Sequence, residues 1–364
     1  MQNLESWTRT YPRDWLPFAV LAGWGTQGTG QYEKGVQAAE ESLRLNPDNP
    51  FSYVMALHNF FLDRFAESAV VLQRAAARKL EIPEFLITRY YLAFINGDRA
   101  GMEREIVRAR GEHVEDWMSH NQAMVLAQSG QMQLARTTWE RAIAMAQQAG
   151  KRENAALDHA AEAVCDAHFG NAAAAIERVH LALKLARSRE VEYAAAYALM
   201  LSGDSSGPQR LAADLQKRFP EDTAVQFEYL PTLGALSALA HRAPSDAVER
   251  LQRTLPYDFA LPGTAFFAKF GGLYPAYVRG QAYLEAHQGR EAAAEFQKIL
   301  DHRGIVYADP VGALAHLQLG RAYVVSGDVT KSKKAYQDFL TLWKDADANI
   351  PILKQAKAEY ANLR

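Results

Sequence analysis

Residues 319–339 read LGRAYVVSGDVTKSKKAYQDF, and the spacing of a few positions in this stretch decides the fold. Gly320, Gly327, Ser332 and Phe339 follow one another at intervals of seven, five and seven, and Tyr336 stands four residues after Ser332. A helix with a small residue at Gly320, a break at Gly327 and a second helix with a small residue at Ser332 accounts for that spacing. Two antiparallel helices approach closely where small side chains face each other, and glycine lets the backbone leave the first helix through a left-handed turn. Four other segments keep the same intervals: Gly23/Gly30/Gly35/Ser42, Ala123/Gly130/Ala135/Ala142, Ala163/Gly170/Ala175/Ala182 and Ala196/Gly203/Pro208/Leu215. Ala39, Trp139, Val179 and Ala212 are their counterparts of Tyr336.

Weaker copies fill the intervals. They pair Met55 and Ala56 with Phe65 and Ala75, residues 90–97 with Met102 and Ile106, and Ala235 with Ala247 and Leu251. A further copy pairs residues 280–283 with Ala292 and Phe296, its turn at Gly289 out of phase with the others. One hairpin cannot bury its apolar face alone, so neighbours stack into a solenoid with an inner and an outer surface. Composition agrees. Hydrophobic residues make up 49% of the 364, and no alternating Val/Ile/Thr run of strand length occurs, which argues for helices packed on helices. The length exceeds one ordinary compact domain, as an elongated array of repeats does.

This pattern resembles the tetratricopeptide repeat, a unit of about 34 residues with a W-x2-L-G-x2-Y, A-x3-F and terminal proline signature. Its closest copy is Leu319-Gly320-Arg321-Ala322-Tyr323 with Gly327, Ser332 and Tyr336. Gly30-Gln31-Tyr32-Glu33-Lys34-Gly35 leads to a second copy closed by Leu45-Asn46-Pro47, and Arg218-Phe219-Pro220 closes a third. Proline there stops the second helix, because it cannot continue the hydrogen-bond ladder. The resemblance implies an all-α, right-handed superhelical solenoid of about nine helical hairpins with a C-terminal capping helix.

The expected organisation along the chain follows. Residues 1–12 read as a remnant helix of a preceding repeat, 13–256 as repeats 1–7, 257–272 as an irregular loop, 273–345 as repeats 8 and 9, and 346–364 as the cap. The first residues carry no polar cap of their own, so the reading expects something to precede them. At the other end, Pro351 opens a helix with its lysines outward and Ile352, Leu353 and Tyr360 inward. The stretch LPYDFALPGTAFFAKFGGLYP, residues 255–275, is the longest break. Two readings stand: a functional loop, or a loop that tucks Phe259, Phe266, Phe267 and Phe270 into adjoining repeats. A second irregular turn, HRGIVYADPVG at 302–312, connects the last two repeats.

Several chemistries are set aside on sequence grounds. Net charge is −2 with charges scattered singly, so no basic stripe offers a footprint for nucleic acid. Cys165 is the only cysteine, which excludes an internal disulfide and a CxxC metal site, and it reads as a small apolar core residue. Residues 23–28, GWGTQG, fit G-x-G-x-x-G, but helices flank them where a dinucleotide site needs strands. Residues 203–207, GDSSG, fit G-x-S-x-G, but a helix leads in where a nucleophile elbow needs a strand. His302-Arg303 opens like a kinase catalytic loop, with Gly304 where the aspartate base belongs. The histidines are scattered, His159 and His168 lying nine apart, without the spacing of a helical metal pair. No apolar run is long enough to span a bilayer, and the first residues lack a signal-peptide pattern. The reading is therefore a non-catalytic chain with no cofactor and no metal, cytoplasmic as given or periplasmic if joined to a membrane-spanning kinase.

In tetratricopeptide folds the second, fifth, ninth, twelfth and thirteenth positions of each unit line the concave groove. The resemblance implies a partner-binding groove made by Trp24, Tyr53, Tyr91, Phe94, Trp117, His120, Tyr193, Tyr197, Tyr274, Tyr277, Gln281 and Arg321, rich in rings suited to gripping a protein or peptide. The alternative for each ring is packing between helices. Residues 228–364 also resemble the C-terminal repeat part of bacterial signalling proteins, through LYPAYVRG at 273–280, EFQKILDHRG at 295–304, YQDFLTLWKDAD at 336–347 and PILKQAKAEY at 351–360. In that family the repeats follow a receptor-type serine/threonine kinase domain or a winged-helix DNA-binding domain. The resemblance implies an interaction or sensing module for signal transduction. The other readings are the C-terminal part of a kinase whose catalytic domain lies outside this chain, and a self-assembling repeat module that associates through its N-terminal edge.

Overall fold

A computed structural model of the chain describes residues 2–204, 207–261 and 270–363. Among these residues every regular element is helical. After α1 (Gln2–Thr10) come nine antiparallel pairs. The first five are α2 (Trp15–Val20) with α3 (Tyr32–Leu45), α4 (Pro50–Ala56) with α5 (Phe65–Ala77), α6 (Glu84–Ile95) with α7 (Arg99–Ala109), α8 (Glu115–Gln128) with α9 (Met132–Gln148), and α10 (Arg152–Phe169) with α11 (Ala172–Leu185). Then follow α12 (Arg189–Leu201) with α13 (Gly207–Arg218), α14 (Leu230–Ala240) with α15 (Pro244–Leu251), and α16 (Tyr274–Glu285) with α17 (Gly289–Leu300). The single turn α18 (Arg303–Val306) precedes the last pair, α19 (Pro310–Val325) with α20 (Val329–Leu342), and α21 (Pro351–Ala361) closes the described chain.

Local chemistry sets the helix boundaries. Asn49, Asp98, Asp309 and Asp328 accept backbone N–H bonds from the first turns of α4, α7, α19 and α20, as N-cap residues do. Gly30, Gly97, Gly130, Gly170, Gly203 and Gly327 lie at positive φ between the helices of their pairs. Three pairs make the same turn without glycine. Asp63, Arg242 and His287 take φ near 57° there, so the second, seventh and eighth copies are faint in the sequence. Gly289, expected as a turn residue, begins α17 instead. A Cβ on it would lie 2.6 Å from the Ala322 carbonyl oxygen, so glycine lets α17 pack onto the end of α19.

The chain divides into two compact units, each interleaved along the sequence. The first is Met1–Met118, Phe259–Ala268 and His302–Tyr307; the second is Ser119–Asp258, Lys269–Asp301 and Ala308–Arg364. The core of the first unit is aromatic: Phe60 packs against Phe61, Phe65 and Tyr91, and Tyr91 against Tyr307. His58 is fully buried there, and burial pushes its pKa down to about 4. The core of the second unit is alanine-rich along α10 and α12, where small side chains bring helices together, and tyrosine-rich at its centre.

Candidate partner-binding site

The tyrosines expected to line an open groove form the interior of the second unit. Tyr193 of α12 stacks on Tyr229 with centroids 3.9 Å apart, and Tyr197 stacks on Tyr274 of α16 at 4.7 Å. His168 of α10 meets Tyr197, Tyr274 and Tyr277 within 5.2 to 5.9 Å. All of these side chains except His168, at 9%, are no more than 2% exposed. Three first helices, α10, α12 and α16, thus meet through these rings. Burial drives the His168 pKa down to about 3 and raises those of Tyr193, Tyr197 and Tyr274. The cluster is a packed core, with His168 neutral at physiological pH.

Asp309 anchors one side of it. Its carboxylate accepts the Tyr274 hydroxyl at 3.0 Å and the backbone N–H groups of Gly271 and Val311 at 3.1 Å each. Burial raises its pKa to about 6 against the opposing pull of those donors. Gln318 donates to the Tyr277 hydroxyl at 3.0 Å, and Arg321 forms a two-pronged pair with Glu359 of α21, both contacts 2.9 Å. Arg321 therefore holds a helix of its own chain. Gln281 is half-buried on α16. His120 is buried, its Nδ1 2.9 Å from Asp158 and 3.2 Å from the Trp139 indole nitrogen.

In the first unit Tyr53 and Tyr91 are buried, while Phe94 and Trp117 are half-buried. Trp24 lies in a π-helical turn, Leu21–Gly25, and its side chain is outside the described residues. Seven of the twelve groove candidates, Tyr53, Tyr91, His120, Tyr193, Tyr197, Tyr274 and Tyr277, are buried, and Arg321 is half-buried and paired with Glu359. Of the 255–275 loop, Phe270 is buried and Phe259 stacks on His302 at 4.4 Å; Phe266 and Phe267 are outside the described residues. Ser205 of the G-x-S-x-G stretch is outside them as well.

Segments distant in sequence pack along the turns of the hairpins, an arrangement that no local pattern announces. In the first unit the Leu261 N–H donates to the Gln27 carbonyl at 3.1 Å, and a Cβ on Gly30 would come within 2.9 Å of Phe259. The Gly304 N–H donates to Asp63 at 2.6 Å, Arg303 donates to the Ile95 carbonyl at 3.0 Å, and the Phe60 carbonyl leaves no room for a side chain at Gly304. That close approach explains the glycine which breaks the kinase-like reading of this turn. In the second unit the Trp343 indole donates to the Gln128 carbonyl at 2.9 Å and packs edge-on against Phe169 at 4.9 Å. Asp347 donates its N–H to the Gly130 carbonyl at 3.0 Å and receives the Gln133 N–H on its carboxylate at 2.8 Å. Pro351 rests against Gly170, 3.1 Å from where a Cβ would stand. Beside this strap a cleft of about 490 Å³ opens, lined by Met132, Arg136, Asn171, Asp347 and Asn349 among others.

Ionic groups fix the flanking helices. Glu162, 1% exposed, lies 3.0 Å from Arg178 and 3.7 Å from Arg136, and burial raises its pKa to about 7. Arg279, equally buried, donates to Asp258 at 2.6 Å and to Glu295 at 2.8 Å. The cost of desolvating such buried charges offsets much of their attraction, whereas removing one partner alone would leave the other uncompensated. Cys165 is buried, and burial pushes its thiol well above the ordinary range. No group of three or more His, Cys, Asp or Glu side chains is placed to hold a metal among the described residues, and no helix there is long and apolar enough to cross a membrane.

No family model matches the chain, and no curated protein matches it. Among solved structures it is similar to a tetratricopeptide repeat protein from Parabacteroides merdae, at 11% identity over 77% of this chain and 99% of that one, with a TM-score of 0.43. It is also similar to yeast Tom70, at 12% identity over 98% and 90% of the two chains with a TM-score of 0.41, and to the P58(IPK) TPR domain, at 13% identity over 95% and 99% with a TM-score of 0.25. The first and third carry the repeat in their names.

Proposed function

We propose that this chain is a non-catalytic scaffold that binds protein or peptide segments. The observation that carries the reading is the use the chain makes of its own hairpin turns: in each unit, irregular segments from far along the sequence lie against them through backbone hydrogen bonds and glycine contacts. Surfaces that seat peptide in this way are suited to seat it from a partner. Part of a bacterial signalling protein, with an output domain outside this chain, is the finer reading, and it rests on the resemblance of residues 228–364.

Affinity capture with the whole chain, followed by reconstitution with the purified candidate, tests the proposal. A complex with Kd in about the micromolar range, protecting turn-edge amides from hydrogen exchange, is the expected outcome. Failure of every captured protein to rebind in purified form would remove it. A mass that rises with concentration in light scattering would favour self-assembly instead.

A further inference from the structure

The strap of residues 343–351 has the anatomy of a bound ligand. Trp343 is a buried aromatic anchor between the turn at Gly130 and Phe169. Four residues on, the Asp347 carboxylate sits on the N-terminal turn of α9, where unsatisfied N–H groups and the helix dipole favour an anion, and its own N–H satisfies the Gly130 carbonyl. Four residues further, Pro351 meets the turn at Gly170. The two turn glycines that receive it differ in this respect from Gly97, Gly203 and Gly327, which have the same left-handed conformation and no atom within 4 Å of a Cβ position. The cleft bordered by Asp347 and Asn349 remains open beside the strap, with Arg136 in its wall.

We infer that the edge formed by the Gly130 and Gly170 turns is a peptide-recognition site, occupied here in cis by residues 343–351. The partner it fits is a protein segment presenting an aromatic ring, a carboxylate four residues later and a proline four residues after that. The inference rests on the scaffold reading and gives that reading a site. A tethered strap competes at an effective concentration of about the millimolar range, so a partner binds only as fast and as tightly as the strap yields.

Two measurements on the full chain test this. In the wild type, hydrogen exchange at the Asp347 and Gln133 amides is expected to proceed through local opening, faster than exchange in the centre of α10. Exchange of both only at the rate of the α10 core would overturn the idea, because a strap that opens only on unfolding cannot be displaced. In the Trp343→Ala/Asp347→Ala chain, a fluorescent peptide of residues 341–353 (TLWKDADANIPIL) is expected to bind at least tenfold tighter than to wild type, and the peptide with the same two substitutions at least tenfold more weakly than the unmodified one. No binding by a double variant of unchanged helicity would also overturn it; should that variant unfold, the wild-type exchange rates decide. If the wild-type chain still captures and rebinds a partner while the peptide fails, this site falls and the scaffold reading stands.

Discussion

Gly130 and Gly203 occupy the same position in their hairpins, at φ of 75° and 80°, but their surroundings differ. A Cβ on Gly130 would lie 2.6 Å from that of Ala346 and 3.0 Å from the Trp343 ring, whereas nothing stands within 4 Å at Gly203. Gly203→Ala should therefore cost about 1–2 kcal/mol for the left-handed backbone alone, and Gly130→Ala a further ~1–3 kcal/mol for overpacking, read as the difference in chemical denaturation. Equal losses would mean that the strap yields freely. Asp309 carries a pH signature. Its folded pKa, about 6, is above the ordinary 3.8, so the folded state binds a proton more tightly than the unfolded one. The stabilisation this gives is complete below about pH 4 and is lost as pH rises through 6. Asp309→Asn should abolish that contribution. The variant should also be less stable at every pH by ~1–3 kcal/mol, because an amide nitrogen cannot accept the bonds that Gly271 and Tyr274 donate. His168 opposes the trend: its pKa is lowered, so its contribution is present above 6.5 and lost on acidification, and only the difference between wild type and variant isolates Asp309.

At the far end of α21, Glu359 takes two bonds from Arg321 and one from the Tyr336 hydroxyl at 2.8 Å. Both members of the ion pair are partly exposed, so its worth is about 1 kcal/mol or less. Glu359→Gln should accordingly leave the global unfolding midpoint almost unchanged while amide exchange in residues 351–361 rises several-fold; protection equal to wild type would show that Leu353 and Ala356 alone seat the helix. How far such elements could be read from sequence follows from their range. The hairpins were legible because the small residue, the turn glycine and the answering small residue lie within one repeat. They faded where Asp63, Arg242 or His287 makes the turn, since no residue type announces a left-handed aspartate, arginine or histidine. The strap was illegible, because Trp343 and Gln128 lie 215 residues apart and Gly130 already had a local reason to be glycine. The burial of Tyr274 and Tyr277 is likewise illegible, because one repeat does not reveal that α16 reaches His168 on α10.

At the scale of the whole chain, the two compact units do not coincide with two stretches of sequence. A tetratricopeptide-like array of purely local contacts could be cut between repeats, each part keeping its stability as a sum of neighbour terms. Here residues 1–118 on their own would lack the Tyr307 ring that packs on Tyr91 and the Gly304 and Arg303 bonds to Asp63 and Ile95. That fragment should show a lower melting temperature than the corresponding unit in the whole chain and should bind a hydrophobic dye; melting at the same temperature would mean that the late segments add nothing. The same separation bears on synthesis. Asp63 and Gly304 are 241 residues apart, and at ~5–20 residues per second the ribosome takes roughly 10–50 s to supply the second after the first. Through that interval the aromatic pairs of the first three hairpins are out of the ribosome without the segment that completes them, so translation in a chaperone-depleted extract is expected to lower the soluble yield of this chain more than that of a repeat array with purely local contacts.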